Sequence, residues 1–321
     1  MRTLHLQACL LKAIRNFFDE RGFLEVMPPP MVPNPGMETH IHPFEIRSTR
    51  TGLASGNYLH TSPEFYMKEL LSLGMEKIYS VEYCFRDEPL SPQHRNQFLM
   101  LEWYRAGERY EKIMQDSEEL VMFCWKRLAA EFGEAAMNPA PVRRERKTVS
   151  DLFIETLGFD ILDYPDKESL ADLIRKKFPN VPLPASDTNM EWDDYYFLLF
   201  LNEIEPLFIK NPFLLLYEFP SHLSALSTLK ETDKRVCERF EIYMNGIEIC
   251  NCFNELTDLV AQKKRFEDQR QLKKKFYGYE LPPPEILFGA LSRGLPESAG
   301  VAMGVERLLK VLAKVDCPFF I

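Results

Sequence analysis

Residues 85–104 read FRDEPLSPQHRNQFLMLEWY. An apolar run ends in Arg86, Asp87 and Glu88, a polar loop follows, and the chain returns through alternating Phe98, Met100, Glu102 and Tyr104. Because residues two apart on a strand share a face, the pattern predicts a hairpin with strands at about 78–88 and 98–105. Arg86 and Glu88 would then point one way on the outgoing strand, and the four alternating residues would share a face on the return. A surface hairpin can carry such charges harmlessly. An arginine fork beside carboxylates and an aromatic ring also suits a molecule bearing a carboxylate, an ammonium and a phosphate.

A second constellation lies at 239–252, RFEIYMNGIEICNC, where Asn245-Gly246 is a strong two-residue hairpin signal. With that turn, Tyr243 pairs with Glu248 and Glu241 with Cys250, placing Glu241 and Glu248 diagonally on one face within reach of a shared ion. Glu255 follows in NELTD. One or two such carboxylates suffice for a hard divalent cation that keeps several waters, such as Mg²⁺ on a nucleotide. The third constellation, SAGVAMGVERLLKVLAK at 298–314, has small residues through Gly304 and places Arg307 in the first turn of an apolar helix.

Outward from these segments the pattern is mixed. Leu4, Leu6, Leu10, Leu11, Ile14, Phe17 and Phe18 have helical spacing and stop at Gly22; FLEVMPPP then reads as a short strand closed by prolines. TSPE at 61–64 opens a helix over Glu64–Ser72, with Ser62 as its cap and Pro63 in its first turn. A helix is predicted over 110–132 and a Lys-rich one over about 260–276, and NPAPVRRERKTVS at 138–150 has the composition of a linker. Short helices and polar loops over about 150–211 predict an insertion rather than a second core. Long helices with paired antiparallel strands, without βαβ alternation, give an α+β fold with a mixed, mostly antiparallel sheet flanked by helices.

The chain has 321 residues, 45% hydrophobic, and a formal charge of -9, which disfavours a dedicated nucleic-acid surface. Its seven cysteines form no CxxC pair, as expected of reduced thiols in a cytoplasmic protein. Lys12 and Arg15 interrupt the amino-terminal apolar stretch, and no apolar run is long enough for a bilayer, so no membrane association is expected.

In this order the segments resemble the motifs of class II aminoacyl-tRNA synthetases: RGFLEVMPP as motif 1, FRDE…HRNQFLMLEWY as motif 2 and GVAMGVERLL as motif 3. TSPE, GIEICNCFNELTD at 246–258 and YEFPSHLSALS at 217–227 resemble the lysyl branch. The likeness implies a single synthetase-like catalytic domain over 1–321, without the anticodon-binding barrel or any other dedicated tRNA-binding domain. It is strongest to truncated paralogues that activate (R)-β-lysine with ATP and attach it to a lysine side chain of elongation factor P. Ala302 agrees with these, standing where lysyl-tRNA synthetases have glycine. A free-standing enzyme making lysyl adenylate for tRNA or a small acceptor, and a lysine- or nucleotide-binding regulator without catalysis, are the alternatives.

Carried over by position, the resemblance implies that Arg86 contacts the substrate carboxylate and the ATP α-phosphate, and that Arg86 and Arg307 serve catalysis. Glu88 would hold the adenine side, Phe98 and Arg307 would sandwich the adenine ring, and Gly304 would lie against the nucleotide. His94, Arg95, Glu248, Ile249 and Asn251 complete the implied ATP contacts. Ser62, Glu64, Glu102 and Ala302 would surround one amino group of a lysine-like amino acid, and Glu255 with Tyr104 would take its distal ammonium. Glu241 and Glu248 match the Mg²⁺ ligands, and motif 1 implies a homodimer. Four positions depart from the pattern: Arg95 and Gln97 in HRNQF, Cys252 after Asn251, and Glu306 before Arg307.

Overall fold

The computed structural model describes residues 2–89, 91, 94–184, 190–315 and 317–319. Leu90, Pro92 and Gln93 of the expected hairpin loop, and 185–189 of the expected insertion, lie outside the described residues. Helix α1 (Arg2–Asp19) is followed by β1 (Leu24–Glu25), β2 (Met31–Val32), β3 (Glu45–Arg47), β4 (Ala54–Leu59), α2 (Glu64–Ser72), β5 (Lys77–Phe85), β6 (Gln97–Ala106) and α3 (Tyr110–Phe132). Next come β7 (Glu145–Thr148), α4 (Val149–Leu157), α5 (Lys167–Lys177), α6 (Trp192–Leu199), β8 (Leu214–Pro220), β9 (Val236–Met244) and β10 (Ile247–Asn254). Then follow α7 (Leu259–Tyr277), α8 (Glu285–Arg293), β11 (Ser298–Gly304) and α9 (Val305–Leu312). The chain divides into two compact units, 1–140 with 254–321, and 141–253.

In the first unit the strand order is β1-β5-β6-β11, with β1 parallel to β5 and the other pairs antiparallel; β2-β4-β3 form a separate small sheet. Helix α1 buries Leu6, Leu10, Ile14, Phe17 and Phe18 along one stripe. Phe18 stacks on Tyr79 with ring centroids 4.6 Å apart and meets Trp103 at 5.3 Å, so the odd-numbered residues of β5 and β6 face the helical layer. Buried Arg105, on that same face, donates to Asp116 of α3 at 2.5 and 3.1 Å, joining β6 to the helix. The even-numbered residues of β6 are thereby turned to the opposite face.

Residues 298–304 are a strand rather than only a helix approach. β11 pairs with β6 from Ser298↔Ala106 to Gly304↔Met100. Its small residues carry weak strand propensity, and their place is fixed by what lies over them. At Gly300 a Cβ would stand 2.0 Å from Tyr104 Cε1, so the tyrosine ring lies directly on the glycine backbone.

In the second unit the order is β10-β9-β8-β7. The stretch read as a linker contains β7, parallel to β8 from Glu145↔Leu214 to Thr148↔Tyr217. Its charged side chains find partners, since Asn211 donates to Glu145 at 2.7 Å and Lys147 lies 3.0 Å from the same carboxylate. The helical segment packs on this sheet and shares its core: Phe153, Ile174, Tyr196 and Leu199 bury against Leu214, Leu216 and Tyr243, with Trp192, Tyr196 and Phe200 stacked in series.

The Asn245-Gly246 turn forms, with φ of 50° and 79°, as a turn with two left-handed residues requires. Glu248 pairs with Tyr243, but Glu241 faces Asn251 and not Cys250, because a bulge at Ile249 adds one residue to β10. The bulge carries Asn251 onto the face shared by Glu241, Tyr243 and Glu248.

Replacing Gly300 with alanine is expected to destabilise the protein by about 1–3 kcal/mol, since the new methyl must displace the Tyr104 ring. Denaturant unfolding of G300A against the wild type checks this.

Candidate active site

The even face of β5 and β6 is ordered in levels about 6.6 Å apart, two residues of strand each. Register places Cys84 with Phe98, Glu82 with Met100, Ser80 with Glu102, and Ile78 with Tyr104. From β11, Gly304, Ala302 and Gly300 stand beside Met100, Glu102 and Tyr104. Tyr104 and Glu102 are buried, and Ala302 is the small neighbour that leaves room beside Glu102.

Arg86 and Glu88 lie past the end of β5, a shorter strand than expected. The Asn96 side chain takes over from the ladder, donating to the carbonyls of both Arg86 and Glu88 at 3.0 Å, while Arg86 N–H donates to Asn96 O at 2.9 Å. The Arg86 guanidinium stands 5.2 Å from the Phe98 ring centroid, and its covered Nε makes no hydrogen bond. A cation over an aromatic face at the head of the site is thus in place.

Glu102, with no exposed surface, accepts from Ser62 Oγ at 2.7 Å and from Tyr104 OH at 3.0 Å. Burial pushes its carboxyl up to about 8; Glu64 and Glu82 add to the rise, and the two hydroxyls oppose it. Ser62 also accepts the Glu64 N–H at 3.1 Å, but Pro63 and not Ser62 stands at the N-cap of α2, its carbonyl taking the first helical bond from Met67. One turn later Lys68, 1% exposed, sets its Nζ 2.6 Å from Glu64 and 2.6 Å from Glu255. Sequence reasoning missed this residue. The signal was the Glu-to-Lys spacing of four on a helix, which faces the two side chains together.

Lys68 stays protonated, because the attraction of Glu255 and Glu64 outweighs its burial. Burial drives Glu255 up to about 8 and raises Glu64 as well, with Lys68 opposing both shifts. The two carboxylates expected to meet substrate ammonium groups therefore already share one ammonium from the protein.

Toward α9, Arg307 Nη2 lies 3.1 Å from His94 Nε2, and His94 Nδ1 lies 2.9 Å from Ser91 Oγ. The stem of Arg307 is 3.4 Å from where a Gly304 Cβ would be. Glu306, one of the departures, accepts the Leu99 N–H at 2.8 Å and so ties α9 to β6. Arg95, another departure, stands 4.6 Å from the Phe319 ring.

In the second unit Arg239 reaches three acceptors: Glu241 at 2.5 Å, Asn251 Oδ1 at 3.1 Å and the Leu223 carbonyl at 2.8 Å. Glu241 also accepts from Tyr243 OH at 2.6 Å. Burial and the charge of Glu248 push the Glu241 carboxyl up, against the pull of Arg239. Among the described residues no three His, Cys, Asp or Glu side chains form a metal cage. A hard cation that keeps its waters asks for less. Glu241 and Glu248 raise each other's need for a counter-charge, part of which Arg239 already supplies to Glu241.

Residues 1–316 match the family of class II tRNA synthetases (D, K and N). The chain belongs to this class II synthetase family. It is 35% identical over 315 residues to an elongation factor P–(R)-beta-lysine ligase of Erwinia tasmaniensis, covering 97% of this chain and 90% of that protein. A protein of the same name from Vibrio campbellii is 34% identical over 319 residues, covering 98% of this chain and 93% of the relative. The counterpart from Vibrio cholerae is 35% identical over 315 residues, covering 98% and 92%. No helix among the described residues is long and apolar enough to cross a membrane.

In this class II synthetase chain, Lys68→Met leaves Glu64 and Glu255 buried without their ammonium, at an expected cost of about 3–5 kcal/mol near pH 8. The sign follows from linkage. An acid whose folded pKa lies above its unfolded value of about 4.3 destabilises the fold above the folded pKa, and the penalty fades as pH falls toward the unfolded value. The deficit of K68M should therefore shrink between pH 8.5 and 5.5, and K68M/E255Q should recover part of it at pH 8.5. Denaturant unfolding across that range measures both.

Proposed function

We propose that this chain activates a lysine-type diamino acid, (R)-β-lysine foremost, with ATP and transfers it to a lysine side chain of elongation factor P. The observation that carries the proposal is the buried face on which Glu102, Tyr104, Glu64 and Glu255 gather, at the far end from Arg86, with carboxyls raised by burial. A cationic side chain satisfies these groups, and a neutral one leaves them buried and unpaired. Family membership supplies the ATP-dependent chemistry, and the names of the relatives point to the acceptor.

In the first step a substrate carboxylate oxygen bonds to the ATP α-phosphorus and pyrophosphate leaves. Arg86 would hold the carboxylate and the α-phosphate in line and stabilise the charge that builds on the phosphate oxygens. Phe98 and Arg307 would flank the adenine, with His94 turning from Arg307 toward the phosphates. Glu241 and Glu248 are the residues that would hold Mg²⁺, whose charge would neutralise phosphate oxygens. In the second step the acceptor amine bonds to the acyl carbon and AMP leaves. No side-chain nucleophile takes part.

A homodimer is part of the same proposal, supported by the apolar side chains of Leu24, Met27 and Met31 left 54%, 91% and 54% exposed after α1. A cytoplasmic location is part of the same proposal, since the enzyme would have to meet its acceptor and ATP.

ATP–pyrophosphate exchange with L-α-lysine and (R)-β-lysine side by side tests the proposal. Preference for the β-isomer, and loss of exchange in Arg86→Ala by about a thousandfold or more, are expected; preference for α-lysine points to a tRNA or small acceptor, and no exchange overturns catalysis. The pH dependence has a definite sign. Ammonium binding needs ionised Glu102 and Glu255, each raised to about 8, so KM for the amino acid should fall from pH 6 to about 8.5. KM for ATP should stay flat, and Glu102→Gln should make the amino-acid profile shallower, leaving the part due to Glu255.

A further inference from the structure

Glu82 stands one level nearer Arg86 than Glu102 does, on the same even face. Its side chain is partly buried, with Oε1 fully covered and without a hydrogen bond. Ser80, wholly buried beside Glu102, likewise leaves its Oγ without a hydrogen bond. Between an arginine at one end and a tyrosine-carboxylate cluster at the other, the covered oxygen of Glu82 has only the Ser80 hydroxyl as a near donor, which leaves a place for a cationic one. Burial pushes the Glu82 carboxyl up to about 7, with the nearby Ser80 hydroxyl pulling the other way. The charge of Glu82 also reaches Glu102 and the Cys84 thiol, and no lysine or arginine forms an ion pair with it among the described residues.

Resting on the lysine-type activation proposed above, we infer that Glu82 is a specificity-determining residue that receives the substrate amino group nearer the carboxylate. The order of levels gives the reason. With the carboxylate at Arg86 and the distal ammonium at Tyr104 and Glu255, an amino group on the second or third carbon falls on the stretch where Glu82 and Glu102 sit diagonally. Glu102 already accepts two hydroxyl donors, whereas Glu82 Oε1 accepts none. An ammonium held there gains a charge-assisted hydrogen bond and supplies the missing partner.

The test is equilibrium binding by calorimetry of L-α-lysine, (R)-β-lysine and 6-aminohexanoic acid to the full chain and to Glu82→Gln and Glu82→Asp. The last ligand keeps the carboxylate and the distal ammonium and lacks the proximal amino group. E82Q should bind one or both diamino acids about tenfold or more weakly, while its affinity for 6-aminohexanoic acid and for ATP stays within about twofold. E82D, which keeps the charge, should recover part of the loss. Equal loss for all three amino acids, or no loss for any, overturns the assignment. Wild-type ATP–pyrophosphate exchange is read separately, so that a protein binding diamino acids through Glu82 without exchanging pyrophosphate would sink the catalytic proposal and leave this one standing.

Discussion

The Glu64–Lys68–Glu255 triad sets the terms on which the first unit keeps its site. Two carboxylates at 2.6 Å from one buried ammonium are held apart and held in place, and neither can be removed without exposing the others to an apolar surrounding. Because Glu64 opens α2 and Lys68 lies one turn on, the helix is anchored by its first turn, and that turn also delivers Ser62 to Glu102. Helix position, pocket charge and the hydrogen bonding of Glu102 are thus one arrangement. The ammonium that steadies the pocket also leaves it acidic, which a cationic ligand needs.

A second constraint is the two-sidedness of β6. Its odd residues, Trp103 and Arg105, are committed to the aromatic and ionic contacts with α1 and α3, and this fixes the register of the strand. A slip by one residue would bury Glu102 and Tyr104 among Phe18 and Tyr79 and send Trp103 into the pocket. Tyr104 is then placed a second time by Gly300, whose missing Cβ is the space the ring occupies.

Much of this was legible in the residues. The span of α2 was legible because the Ser-Pro pair marks its start, although Pro63 proved to be the cap, and the Asn245-Gly246 turn because few residues accept two positive φ values in a row. What escaped depended on partners distant in sequence. Bulges have no reliable local signature, so the one at Ile249 shifted the expected partner of Glu241 by one residue. The basic stretch around β7 became a strand because β8 offers it a parallel ladder, and the small residues of β11 became one because Tyr104 requires a flat neighbour. Lys68 drew no reading since the second carboxylate that buries it, Glu255, lies far along the chain. Glu82 hid for the opposite reason: its unpartnered oxygen is visible only once the neighbours are placed.

Charge explains why such a site can be both stable and selective. Glu64, Glu102 and Glu255 are three buried carboxyls served by one buried ammonium, and burial answers the imbalance by raising the carboxyls rather than by opening the fold. Near neutral pH the empty pocket therefore retains protons where a cation would otherwise sit. Binding a diamino acid, as proposed, would exchange those protons for ammonium groups, making recognition in part a replacement of charge and not only a gain of contacts. A ligand with a single amino group can complete half of that exchange. On the proposed function, selectivity for two amino groups would come from the carboxyls the protein has buried in excess of its own lysine, and the covered oxygen of Glu82 would extend the same logic toward the reacting end.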